Sequence, residues 1–115
     1  MRAVASPADL ENAVSRFIED LEKGIRVDAV VLFGSYVHGQ PHEWSDIDLA
    51  VVSPDFEGLP INERQSIISR LTWRDRDDRI EPIGYPSSEY HEPGRHSFLR
   101  EIIRTGRVVY EAPAK

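Results

Sequence analysis

The sequence predicts an α+β fold, a small β-sheet flanked by helices, with an α/β layering as the near alternative. Three features predict it. Two runs, "VDAVVLFG" at 27–34 and "DIDLAVVS" at 46–53, carry apolar residues in succession, the pattern of central strands covered on both faces. Segments with apolar residues at helical spacing precede and follow them. No internal repeat and no low-complexity tract breaks this alternation of helix and strand.

The first helix is signalled by Ser6 as cap, Pro7 in the first turn and Asp9 completing a capping box. Leu10, Val14, Phe17, Ile18 and Leu21 then share one face, and Gly24 is the expected stop. Between the two apolar strands, Gly39, Pro41 and polar residues predict a loop or a short irregular turn. "SPDFEGLP" predicts a second loop. Ile61, Ile67, Ile68 and Leu71 give a weaker helical pattern over 61–73, and "RDRDDR" reads as a charged connector. Residues 79–85, "RIEPIGY", predict a short third strand. Pro82 removes a ladder donor, so this strand belongs at an edge. "PSSEYHEPGRH" is expected to be loop. Ser97 caps a last helix whose inner face is expected to carry Phe98, Leu99, Ile102 and Ile103. Gly106 ends it, "RVVYE" closes the sheet, and the tail "APAK" is expected to fray.

At 115 residues the chain has the size of a single domain, 1–115, with a modest core. Its 40% hydrophobic and 30% charged residues are a globular balance. Without cysteine there is no disulfide scaffold, thiol chemistry or cysteine-ligated zinc. No stretch is long and apolar enough for a signal peptide core or a membrane span, so the expected setting is cytoplasmic. The net charge of −6 argues against long nucleic acid, which is bound through Lys and Arg. It leaves room for a small phosphorylated ligand with a metal ion, or for a basic protein partner.

The chemistry concentrates in "LFGSYVHGQPHEWSDIDLAVVS", residues 32–53. Residues i and i+2 of a strand share a face. Asp46 and Asp48 therefore project together, while Ile47 and Leu49 point into the core. Two neighbouring carboxylates repel one another, and a divalent cation relieves this. Taken alone, the pair reads equally as a solvated strand end. Gly34 lets the backbone approach a ligand closely, and the amides around Ser35 and Gly39 can form a phosphate nest. Taken alone, that segment reads as a simple turn. Together they bring a phosphate-binding bend and a metal pair to one point, provided the two strands are neighbours.

This pattern, Gly34-Ser35, ten residues, then Asp46-Ile47-Asp48, resembles the minimal nucleotidyltransferases of the DNA polymerase β superfamily. "LFGSYVHG" is similar to the family's "LFGSRARG", and "SDIDLAVV" is a common form of its second half. The resemblance implies a palm-like fold with a small mixed sheet. It implies that Gly34 and Ser35, with Gly39 and His38, hold the triphosphate, ATP above all. It further implies that Asp46 and Asp48 bind Mg²⁺, with two ions expected. A third carboxylate would activate the acceptor hydroxyl through the second ion. Glu81 matches its position, where the family more often has Asp, and Glu89 is the alternative. Glu81 also reads as an edge-strand surface residue. Tyr36 and His38 stand where relatives often carry Arg; Tyr36 is a candidate to stack on the base, and His38 meets phosphate only when protonated. Trp44 is a candidate cover for adenine, a partner contact or a lid for the loop, and His42, His91 and His96 show no ligand spacing.

Stand-alone members are often paired with a small helical HEPN-type protein in toxin–antitoxin systems, and place AMP on a tyrosine of the toxin. The resemblance extends to this chain the roles of antitoxin, AMPylation enzyme and partner of a HEPN toxin; separately, exposed sheet edges and a small core leave room for a homo-oligomer. The competing reading is a catalytically weak or inactive antitoxin that neutralises its partner by contact. A third is transfer to a small molecule in a pocket completed by a partner chain.

Overall fold

In the computed structural model the structure describes residues 5–39, 41 and 45–113. Helix α1 spans Pro7–Glu22 and opens on the predicted capping box, in which Ser6 and Asp9 each accept the other's backbone N–H. Strand β1 (Ala29–Phe33) is followed by a four-residue helix α2 (Ser35–His38), then β2 (Ile47–Ser53). The loop after β2 contains a 3₁₀ turn, Pro54–Phe56, whose Phe56 is fully buried. Helix α3 (Ile61–Thr72) leads to β3 (Ile80–Pro86). Helices α4 (Ser87–His91) and α5 (Phe98–Thr105) precede β4 (Arg107–Glu111).

The sheet order is β3-β2-β1-β4, with β1 antiparallel to both neighbours and β2 parallel to β3. It is the small mixed sheet expected, with β3 at an edge as Pro82 requires. That edge is tied down by α3. The Gln65 amide donates to Pro82 O at 2.7 Å and accepts from Gly84 N at 2.9 Å, as a neighbouring strand would. Arg64 donates to Gly84 O.

Alternating residues divide the sheet into two faces. Val30, Leu32, Ile47, Leu49 and Val51 pack with Val14, Phe17 and Leu21 of α1 and Ile68 of α3. Val31 and Ala50 face the other way, against Tyr85, Leu99 and Ile102. This second layer is thinner, and it corrects two sequence expectations. "PSSEYHEPGRH" is not all loop, because Ser87–His91 form α4. Of the four residues assigned to the inner face of α5, Leu99 and Ile102 are buried, but Phe98 and Ile103 are exposed. An eight-residue helix over two strands covers only a narrow stripe. The last strand also binds further than a frayed tail would, since Ala112 N donates to Asp28 O at 2.9 Å. No helix among the described residues is long and apolar enough to cross a membrane.

Candidate active site

The chain direction brings four things to one end of the sheet: the end of β1, the start of β2, the start of β3 and the bend at Gly34. In the sheet register Phe33 lies opposite Asp48, and Asp48 lies beside Glu81. Asp48 sits on the face away from Ile47 and Leu49, as the period of two requires.

Gly34 adopts φ +81°, a left-handed conformation that L side chains rarely take. A Cβ built there would overlap Oδ2 of Asp48. The backbone bend and the carboxylate thus stand in contact, and only glycine leaves space for both. Gly34 O accepts from the N–H groups of Val37 and His38, which closes the turn. The first amides of such a turn point outward without intrahelical partners.

The electrostatics are those of a charge cluster. Burial, then the charges of Asp46 and Glu81, hold the Asp48 carboxyl up at about 6. Glu81 is exposed and Asp46 half-buried. Among the described residues, no group of three or more His, Asp or Glu side chains stands close enough, as placed, to close round a metal ion. The donor chemistry nevertheless fits a hard divalent cation. All three groups offer carboxylate oxygen, Asp48 and Glu81 lie on adjacent strands with Asp46 just before β2, and their like charge favours a cation near them.

Of the remaining sequence candidates, His38 and Gly39 stay at the end of the short helix α2 that follows the bend, and the others fall elsewhere. Glu89 lies on α4, where its charge acts on Tyr85, at the opposite end of β3 from Glu81. Tyr36 turns to the α1 side, and its hydroxyl accepts from Ala5 N at 3.1 Å. His38 is exposed and lies within electrostatic reach of Glu101 on α5. Gly39 closes α2, its N–H donating to Ser35 O. His91 meets Tyr90 edge-on, His96 is exposed, and His42 and Trp44 lie outside the described residues. A concavity of about 800 Å³ lies away from the carboxylates. It runs between α1 and β4, from Tyr36 and Arg107 to Tyr110.

The layered fold, with its glycine bend pressed against the Asp48 carboxylate, is that of the nucleotidyltransferase, polymerase-β-like class. The nucleotidyltransferase domain family matches residues 12–102, most of the chain, and the protein belongs to that family. A crystal structure of a candidate nucleotidyltransferase from Sulfolobus solfataricus is similar in fold, with a TM-score of 0.66 and 16% identity. The likeness covers 89% of this chain and 80% of that one. No curated protein matches the sequence.

Proposed function

We propose that this protein is a Mg²⁺-dependent nucleotidyltransferase moving a nucleoside monophosphate, AMP from ATP, onto a hydroxyl group. The observation that carries the reading is the Asp48 carboxylate lying against the Gly34 bend with Glu81 beside it in register. Asp46 and Asp48 would hold Mg²⁺, with Glu81 completing the set; when bound, the metal neutralises phosphate charge. The amides of the Gly34–Ser35 turn bind the triphosphate, with Gly39 and His38 flanking it. Glu81 takes the proton of the acceptor hydroxyl. The freed oxygen forms a bond to the α-phosphorus as the bond to the bridging oxygen breaks, and pyrophosphate leaves with that electron pair. Catalysis of this kind is positioning and charge neutralisation.

Residues 1–115 act as one transferase domain in this reading, and acceptor binding is assigned to a partner. The resemblance of the motif supports a tyrosine of a helical HEPN-type toxin as acceptor, in a cytoplasmic toxin–antitoxin pair. The competing reading, neutralisation by contact alone, is favoured by Glu81 standing where Asp is the commoner residue and by Tyr36 and His38 standing where arginines are common.

One assay separates them. The protein is incubated with Mg²⁺, each α-³²P triphosphate in turn, and the product of the adjacent gene. Label on the partner is expected from ATP and is expected to fall at least about 100-fold in Asp48→Asn, the scale of losing one preorganised charge contact. Unchanged labelling by Asp48→Asn would remove Asp48 from the catalytic set, and neutralisation that persists once labelling is lost would remove catalysis from the function. Full labelling by Glu81→Gln would remove Glu81 from the site.

A further inference from the structure

We infer that Phe98 is the platform on which the nucleobase of the bound triphosphate stacks, with Phe33 supporting it from behind. The inference rests on the nucleotidyl-transfer reading and adds the base subsite to it.

The sequence nominated Tyr36 and Trp44 for this role. The structure withdraws Tyr36, whose ring packs against the α1 side of the core and whose hydroxyl is used by Ala5. A different aromatic stands on the correct face. Phe33 is the residue before Gly34 and the register partner of Asp48, and it packs with the α4–α5 layer. Its ring meets that of Phe98 edge-on, with centroids 5.7 Å apart and planes at 83°. An edge-to-face contact of this kind holds a ring in place without covering all of it. Phe98 indeed remains 60% exposed. An oriented aromatic surface therefore lies against Phe33, the cross-strand register partner of Asp48, on the α4–α5 side of the sheet.

The surroundings suit a nucleoside. A cavity of about 510 Å³ opens beside Phe98, lined by Arg95 and Arg100 and by Arg104, which is paired with Glu101 of the same lining. This volume is within the range of small-ligand sites. These cations come from α5 and its approach, not from the bend, which holds Tyr36 and His38. The base is apolar on its faces and the ribose-phosphate is anionic, so a ring flanked by guanidinium groups complements both. Stacking tolerates any base but strengthens with ring area, so purines should bind more tightly than pyrimidines.

The test is calorimetric titration of the full chain with Mg²⁺–ATP and with Mg²⁺–tripolyphosphate, which has no base. Phe98→Ala should weaken ATP roughly tenfold, the scale of one base–aromatic stack, and leave tripolyphosphate unchanged. Phe98→Tyr should bind ATP like the wild type. Phe98 is largely exposed, so the variants should fold, which circular dichroism melting checks. Equal ATP affinity in Phe98→Ala overturns the inference, as does an equal loss for tripolyphosphate. If wild-type protein binds tripolyphosphate but gains nothing from the base, the subsite fails and the transferase reading stands. If it binds neither ligand, both fail.

Discussion

The two ends of the sheet treat carboxylates in opposite ways. At the end where β1 begins, acidic groups meet donors. Asp28 accepts from the Ser87 hydroxyl at 2.6 Å and from Arg26 Nε at 3.1 Å. Asp55 accepts from Arg26 N, and Glu57 takes both the N–H and the hydroxyl of Ser88, which hold its carboxyl below the usual range. These contacts fasten α4 and the loop after β2 to the sheet. At the other end, acid faces acid, and Asp48 is pushed up by burial, Asp46 and Glu81. One end is built to be satisfied by the chain itself. The other holds Asp48 beside two like charges, an arrangement that a bound cation would relieve.

The difference can be broken by substitution. The largest effect is expected at the bend. Gly34→Ala places a Cβ at φ +81° and against the Asp48 carboxylate. Strain and overlap together should cost about 2–3 kcal/mol, read as a lower urea midpoint. A midpoint unchanged within error would mean that the bend and the carboxylate are not in contact. Next comes Asp28→Asn, at the satisfied end. It weakens two charge-assisted bonds in a half-buried position and should destabilise by about 1–2 kcal/mol. Ser87→Ala should lose a similar amount, and the double variant should lose less than the sum because the two share one bond.

Much of this contrast was legible in the sequence, for a physical reason. A period of two fixes which way Asp46, Ile47 and Asp48 point without any knowledge of their neighbours. Likewise, Ser6, Pro7 and Asp9 act within one turn, and the helix start follows. What could not be read was pairing. Nothing in "RIEPI" states that Glu81 would lie beside Asp48, since register depends on the whole sheet. The short α4 was missed because five residues rich in Ser, Glu and His carry no helical period. The outward turn of Phe98 was missed because a stripe of apolar residues does not say how wide its cover is. Phe56, fully buried from within a loop, gave no signal at all. The facing of Asp48 was thus readable from local rules, while its pairing with Glu81 and the place of Phe98 required tertiary structure.

The smallest effect is the most diagnostic, because its sign is opposite to that of Asp28→Asn. Asp48→Asn removes a charge that the fold disfavours, so the metal-free protein should gain stability at pH 7. The gain should be about 1 kcal/mol after allowing for the solvent that screens a half-buried group. Its pH dependence follows from linkage. Asp48 titrates near 6 when folded and near 3.9 when unfolded. Between these values the folded state holds the proton more tightly, so this group's contribution falls as pH rises from about 4 to about 6. Above pH 6 the penalty is complete, and below 4 it vanishes. The stability difference between Asp48→Asn and wild type should therefore be present at pH 7 and close as pH falls to 4. Urea titrations at several pH values measure it. Added Mg²⁺ should raise the wild-type midpoint at pH 7 and leave Asp48→Asn almost unmoved, since a ligand stabilises only the state that binds it. A variant less stable than wild type across this range would show that Asp48 is satisfied by the chain, as Asp28 is, and the contrast between the two ends would disappear.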